Sequence, residues 1–260
     1  MATSRAANAQ PAYVLHHYDW SETSLIVELY LRAQGRVVVA AKGAKRPTSN
    51  FRPLLLPFQP ILVQLGKPPK DEASEVLNLR SAEWAGGQAL LAPAAMFSGY
   101  YLNELLLKLL ARQDPHPLLF DAYAATLSSL AADADDAAAL RAFELVLLRE
   151  LGWLPALDSA TLTAEPLQAD RDYTLRPEAG LIAHGVGLPG RAWQGIEAAL
   201  AYGAQGGEQA ALRAACVPVA GALRGPLRSL LHYHLGYSNL RTREVWQGAQ
   251  RLADARPATR

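Results

Sequence analysis

The sequence has almost no cysteine and no long apolar run. Its one cysteine, Cys216, excludes an intrachain disulfide and a four-cysteine zinc site. No segment approaches the roughly 18 consecutive apolar residues of a membrane-spanning helix, so no membrane association is expected. Residues 1–11 lack the apolar core of a signal peptide. Half of the residues are hydrophobic and 19% are charged, which indicates a globular protein, expected in the reducing cytoplasm.

Two segments of the chain contain no acidic residue. The net charge of +1, from 25 basic and 24 acidic residues, conceals this segregation. One acid-free segment covers residues 32–52, and the other covers residues 213–243. Either could be an ordinary solvated face, but two such segments separated by an acidic middle favour a polyanionic partner.

The first third of the sequence has the pattern of a β domain. β-branched and aromatic runs predict strands at residues 13–20, 24–32, 36–42, 61–65 and 75–81. Three prolines make residues 54–58 an edge strand or an irregular segment. Five short strands within about eighty residues favour a small closed barrel, because closure removes exposed edges.

The remainder of the sequence has helical periodicity. Helices are predicted at residues 96–112, 118–131, 137–151, 191–202, 208–217 and 223–235, with a hairpin at 173–183. We therefore predict an α+β protein with a barrel domain over residues 1–84. A helical domain over residues 85–260 would follow, with a loop-rich, cysteine-free insert at about 154–190.

The sequence contains only weak matches to catalytic or cofactor-binding motifs. Residues 185–190 fit the dinucleotide pattern G-x-G-x-x-G, but Pro189 lacks an N–H and no alternating βαβ series surrounds the segment. Neighbouring His16 and His17 would face opposite sides of a strand, and His232 and His234 would diverge on a helix. The sequence leaves two alternatives open: a nucleotide-binding enzyme and an adaptor that binds only proteins.

A nucleic-acid platform is the stronger prediction. Alternation in residues 24–32 points four apolar side chains inward, which leaves Tyr30 and Arg32 outward. In the next strand, Arg36 and Lys42 also point outward. These four residues would share an exposed face on which bases stack and phosphates pair, unless Tyr30 packs against a neighbouring domain. Residues 42–46 would form a flexible basic loop that tracks a phosphate backbone.

Ordered segments of the chain resemble the bacterial RecO family of recombination mediators. The segments that carry the resemblance are Tyr13-Val14-Leu15, Trp20-Ser21-Glu22-Thr23-Ser24, Gly35 through Ala41-Lys42-Gly43-Ala44-Lys45-Arg46, Ser49, Phe51, Pro57-Phe58, Tyr101-Leu102-Asn103-Glu104-Leu105-Leu106, Phe143-Glu144-Leu145, Leu151-Gly152, His234-Leu235-Gly236 and Leu240-Arg241-Thr242-Arg243-Glu244. They span nearly the whole chain in the family's order.

The resemblance implies an N-terminal OB-fold, a helical body and no enzymatic activity. It also implies binding of single- and double-stranded DNA, strand annealing at the nucleoid, partnership with RecR and single-strand-binding protein, and indirect support of RecA. The DNA-binding residues carried over by position are Arg36, Lys42, Lys45, Arg46, and, from the closing motif, Arg241 and Arg243. The outward positions deduced for Arg36 and Lys42 agree with this.

The zinc site of the family is absent from the sequence. Many members carry four cysteines after the third helix, but Ser159 occupies the first of these positions and residues 155–190 contain no cysteine. We therefore expect no metal and no cofactor.

A binding site for the tail of single-strand-binding protein is predicted on the third helix. That tail is acidic and ends in apolar residues, so it needs a cation beside an apolar groove. Arg141 and Arg149 flank Phe143, Val146 and Leu147. The candidates for the facing wall of the groove are Arg213, Arg224 and Arg228 of the C-terminal helices. The alternative is that these three apolar residues belong to the core and that the arginines lie over it.

Overall fold

The computed structural model describes residues 9–67, 75–87, 89–133, 136–204, 209–236, 240–242 and 245. The chain forms two compact units, Met1–Phe120 with Leu240–Arg260, and Asp121–Asn239. No helix within these described ranges is long and apolar enough to span a membrane.

The first unit contains a closed five-stranded barrel, as predicted. Its strands are β1 (Gln10–Asp19), β2 (Leu25–Leu31), β3 (Gly35–Ala41), β4 (Ile61–Leu65) and β5 (Val76–Trp84), in the order β1-β2-β3-β5-β4. β1 closes the barrel by pairing with β4, and β3 pairs with β5 in parallel. The prediction that the apolar side chains of β2 point inward is confirmed, because Val27, Leu29 and Leu31 are fully buried in the barrel core.

Helix α1 (Pro93–Leu109) also belongs to the first unit. Its buried leucines 102, 105 and 106 form the predicted apolar stripe. The side-chain amide of Asn103 donates a hydrogen bond to the carbonyl oxygen of Leu15 on β1 (2.9 Å). Gly99 lies so close to Phe58 that a Cβ there would come within 2.8 Å of its ring. The barrel strands end at residue 84, where the domain boundary is predicted, whereas the compact unit continues through α1 to Phe120.

The second unit is mainly helical. Its helices are the greater part of α2 (Pro117–Ala132), then α3 (Ala137–Glu150), α4 (Gly190–Ala204), α5 (Gln209–Cys216) and α6 (Ala220–Leu235). α3 is buried on nearly every side. The carboxylate of Asp136 caps its first turn by accepting from the Ala139 N–H (2.9 Å), and Gly152 ends it with a φ of 72°.

The insert folds as a small three-stranded sheet. β6 (Asp172–Arg176) pairs with β7 (Gly180–Ala183) as the predicted hairpin, and β8 (Leu188–Pro189) pairs with the other edge of β6. The buried indole of Trp193 donates to the carbonyl oxygen of Tyr173 (3.1 Å). The Tyr173 hydroxyl accepts from the Gln168 N–H (3.0 Å). The burial of Trp193 and Tyr173 and the hydrogen bond between them therefore hold the sheet against α4.

Candidate nucleic-acid interface

The prediction that Tyr30 forms an exposed stacking surface is wrong. Its side chain is fully buried, its hydroxyl donates to the carbonyl oxygen of His116 (3.4 Å), and its ring lies 5.3 Å from that of Phe120. The strand alternation is correct, but the outer face of β2 at this point is covered by the segment that follows α1. Tyr30 is therefore a packing residue.

Arg36 is also largely covered rather than exposed. Its guanidinium lies 3.8 Å from the carboxylate of Glu28 and donates to the carbonyl oxygen of Leu107 at the end of α1. Burial lowers the pKa of Arg36, and the neighbouring Glu28 carboxylate partly offsets this. Arg112 binds the same carboxylate (2.9 Å). Arg36 thus holds α1 to the barrel, and its guanidinium is not available to DNA.

The predicted basic loop is an ordered turn. Gly43 has a φ of 74°, and Ala44 is buried beneath the turn. The backbone N–H of Lys45 donates to the Thr23 carbonyl (3.0 Å). The Lys45 ammonium lies 3.3 Å from the Asp19 carboxylate and donates to the carbonyl oxygen of Ser21 (3.2 Å). Lys45 therefore anchors the turn, which corrects the prediction of a flexible loop.

Lys42 and Arg46 are the exposed cations of this turn. Within the described part of the chain neither forms an ion pair. Because Lys45 neutralises Asp19, the surplus positive charge of the turn comes from Lys42 and Arg46, opposed by exposed Glu22 in the adjoining turn. Arg32, at the other end of β2, is exposed as predicted.

Two exposed aromatic residues that the sequence reasoning did not select lie beside the basic turn. Trp20 is 56% exposed and Tyr18 is 49% exposed. The register aligns Asp19 with Leu25 and Leu25 with Ala41, so residues 20 and 42 follow β1 and β3 at the same end of the barrel, with β2 between the two strands. Two strand spacings separate them, about 10 Å. Trp20 already stood within the family-like segment, but periodicity alone could not show its exposure.

Ser24 connects the two parts of this surface. Its carbonyl oxygen accepts from the Trp20 N–H (3.3 Å), and its hydroxyl accepts from the Gly43 N–H (3.5 Å). We call Tyr18, Trp20, Lys42 and Arg46 the barrel-end surface. It combines aromatic rings with cations that form no ion pair among the described residues, which is the combination that binds single-stranded nucleic acid.

The closing motif returns to α1. The carboxylate of Glu104 accepts hydrogen bonds from the Arg241 N–H (2.8 Å) and from the N–H and hydroxyl of Thr242 (2.9 and 2.7 Å). Burial by itself would raise the pKa of Glu104, but these hydrogen bonds and Lys108 hold it below its usual value. Arg241 is exposed and remains a predicted phosphate contact, whereas Arg243 lies outside the described residues.

The prediction of an open peptide-binding groove on α3 is wrong. Phe143 and Leu147 are fully buried and Val146 is nearly so, because α3 is the central helix of its unit. Arg141 binds Glu144 on the same helix (2.6 Å), and Arg149 binds Glu197 of α4 (2.6 Å). The three apolar residues belong to the core, as the alternative had it, but Arg141 is itself buried beside Glu144 rather than lying over the core.

The glycine-rich segment 185–190 covers the connection from β7 to β8, β8 itself and the first residue of α4. A Cβ at Gly187 would lie 2.2 Å from the Tyr173 carbonyl oxygen, and one at Gly190 would lie 2.2 Å from that of Gln168. Close backbone packing therefore accounts for both glycines. Their sheet is antiparallel, unlike the parallel sheet of a dinucleotide-binding fold. Burial raises the pKa of the Cys216 thiol to about 12, so this buried thiol stays protonated at neutral pH.

The insert offers no ligand set for zinc. Within the described ranges, no group of three or more His, Cys, Asp or Glu side chains could hold a metal ion. Ser159 pairs with Pro166 in an isolated β-bridge. The residues present therefore do not fit the family's zinc ion.

We predict that the purified protein contains no stoichiometric zinc and that chelators leave its melting temperature unchanged, because the insert is held by packing and hydrogen bonds. Elemental analysis and thermal denaturation with and without a chelator measure this. One zinc ion per chain, or a lower melting temperature in the chelator, would contradict it.

Comparison with known proteins identifies the family. The family models described as Recombination protein O N terminal and C terminal match residues 7–85 and 91–244. The DNA repair protein RecO of Variovorax paradoxus (strain S110) is 51% identical over 264 residues, covering 97% of this chain and 100% of that protein. The DNA repair protein RecO of Polaromonas sp. (strain JS666 / ATCC BAA-500) is 49% identical over 258 residues, with the same coverage. The chain therefore belongs to the RecO family of DNA repair proteins.

Proposed function

We propose that this protein binds single- and double-stranded DNA without catalysing a reaction, anneals complementary strands, and helps to load RecA onto DNA coated by single-strand-binding protein. The observation that carries the proposal is the barrel-end surface, where exposed Trp20 lies near Lys42 and Arg46, two exposed cations without an ion pair in the described part of the chain. Membership of a DNA repair family supports it.

The surface suits strand annealing because it contacts the backbone without reading the sequence. Lys42 and Arg46 neutralise phosphates, and Trp20 stacks on any base, since every base has an aromatic face. The remaining bases of the strand stay free to pair. Annealing makes and breaks no covalent bond, so the protein needs binding groups rather than catalytic groups.

RecR and single-strand-binding protein are the protein partners in this proposal. Their involvement follows from the family resemblance. The acidic tail of single-strand-binding protein would have to bind elsewhere than on Phe143 and Leu147 of α3, since these side chains are buried. RecA would be affected indirectly, through removal of the coating protein.

The double substitution Lys42→Ala with Arg46→Ala is the direct test. We expect weaker binding of single-stranded DNA regardless of base sequence. The slope of log K against log salt concentration should fall by about 1.4, because each lost phosphate contact removes about 0.7 for a single strand. Fluorescence anisotropy across a salt series measures both quantities. Lys45 is left intact because it anchors the turn.

The matched control replaces Arg171 and Arg176 by alanine. Both are exposed arginines in the second unit, so this variant loses the same charge without touching the barrel. We expect its salt slope to equal that of the wild type. A slope that stays unchanged in the barrel variant rejects the barrel-end surface, and a wild type without salt-dependent DNA binding rejects the proposed function.

A further inference from the structure

Helix α6 has a basic outer face that the barrel-end surface does not use. Its inner side is formed by the buried residues Leu223, Leu227, Leu230 and Leu231. The outer residues are small, polar or basic and are all exposed: Gly221, Arg224, Gly225, Arg228 and Ser229. We call these five residues the α6 face. Their spacing of three and four places them in one stripe along the helix.

The two arginines of the α6 face have no acidic partner among the residues that the structure describes. Arg224 and Arg228 are one turn apart, with a rise of about 6 Å between them, and neither forms an ion pair within the described part of the chain. By contrast, Arg213 is bound by Asp136 (2.6 Å). Residues 209–243 contain no Asp or Glu, so no acid on α6 or beside it in sequence compensates this charge.

The chemistry of the face favours a phosphate backbone over an acidic peptide. The other residues of the face, Gly221, Gly225 and Ser229, lie beside the arginines and offer no apolar groove for a peptide side chain. A Cβ at either glycine would meet nothing within 4 Å, so a broad polyanion can approach the helix closely. Exposed Tyr233 lies about 140° around the helix axis from Arg228, outside this stripe.

We propose that the α6 face binds the backbone of a second DNA strand, so that one chain holds one strand on each of its two units. This inference rests on the proposed function, in which the protein anneals DNA. Holding both strands on one molecule raises their effective concentration relative to each other. Backbone contacts at both surfaces leave the bases free to pair. The second acid-free segment of the sequence thereby acquires a role.

The test is the double substitution Arg224→Glu with Arg228→Glu in the full chain. Stoichiometric titration with a short non-complementary oligonucleotide should show two strands per wild-type chain and one per variant chain. The annealing rate of naked complementary strands should fall by about tenfold or more, while the affinity for the first strand changes by less than about threefold. Thermal denaturation should match the wild type, since both arginines are exposed.

The control variant Arg171→Glu with Arg176→Glu makes the same change of charge on the same unit. We expect it to bind two strands and to anneal at the wild-type rate. A loss of annealing in this control would show an effect of net charge and overturn the inference.

Four other outcomes also overturn it. The α6 variant could still bind two strands per chain. It could anneal naked DNA normally but lose binding of a synthetic aspartate-rich peptide ending in phenylalanine, which would make the face a peptide site. A wild type that binds and anneals DNA with one strand per chain rejects this inference alone, whereas a wild type that binds no DNA rejects the proposed function as well.

Discussion

Replacing Glu28 by alanine is expected to lower the free energy of unfolding by about 3–5 kcal/mol, the usual cost of breaking a buried ion pair. The Glu28 side chain is only 5% exposed and receives two cations, Arg36 and Arg112. The Arg36 side chain is 13% exposed. Without the Glu28 carboxylate, its guanidinium would remain a buried charge with no carboxylate beside it. Chemical denaturation of the two proteins measures the difference.

The matched control is Glu75→Ala. The carboxylate of Glu75 also binds Arg112 (3.0 Å), but its side chain is 54% exposed. Removal of such a surface pair should cost about 0–1 kcal/mol. Equal losses of unfolding free energy in the two variants would mean that the burial of Glu28 does not strengthen its ion pairs with Arg36 and Arg112.

The ion pairs of Glu28 with Arg36 and Arg112 also affect how DNA-binding variants are interpreted. Arg36 was predicted to contact phosphate, but it binds Glu28 and the end of α1. We expect an Arg36 variant to lose DNA binding only as far as the barrel loses stability. Measurements at a temperature well below the melting point of the variant separate the two effects.

Replacing Trp20 by alanine is expected to weaken single-stranded DNA binding by about 1–3 kcal/mol, which is roughly 5- to 150-fold in Kd. A tryptophan that is 56% exposed contributes little to the core, so the melting temperature should stay close to that of the wild type. Trp20→Phe should retain most of the affinity, because an aromatic ring remains for stacking. Duplex DNA should be affected less, since its bases are already stacked.

Trp84 provides the control for Trp20. It is also an exposed tryptophan on the barrel, at 45%. The register aligns it with Ile61 and, through Ile61, with Ala12 near the start of β1, whereas Trp20 follows the end of that strand. Trp84→Ala should therefore leave DNA binding unchanged. Equal weakening by both substitutions would contradict a stacking site beside the basic turn.

Local sequence patterns were sufficient to predict most of the secondary structure. Alternation predicted β2 and β3 and the inward side chains of Val27 and Leu29, which the barrel core confirms. Helical periodicity and Gly152 predicted α3 and its end. These features depend on residues close together in the chain, where the period of the apolar residues follows directly from backbone geometry.

The predictions that were wrong concern exposure: they took side chains to face solvent where other parts of the fold cover them. Alternation placed Tyr30 and Arg36 on the outer side of the barrel, which is correct, but it could not show that α1 and the segment after it cover that side. In the same way, the periodicity of α3 identified Phe143 and Leu147 as apolar but could not distinguish an open groove from a core. Burial depends on contacts between residues that are distant in sequence.

By itself, the sequence determined the family, the strands and helices, the closed barrel and the two acid-free segments, because composition and periodicity are properties of the chain alone. Only the tertiary structure decided which cations are free to bind an anion. Folding brings acids such as Glu28, Asp136 and Glu197 against Arg36, Arg213 and Arg149, whereas Lys42, Arg46, Arg224 and Arg228 face solvent. A charge can bind DNA only where the fold provides no closer partner, and that depends on the spatial neighbours of the side chain.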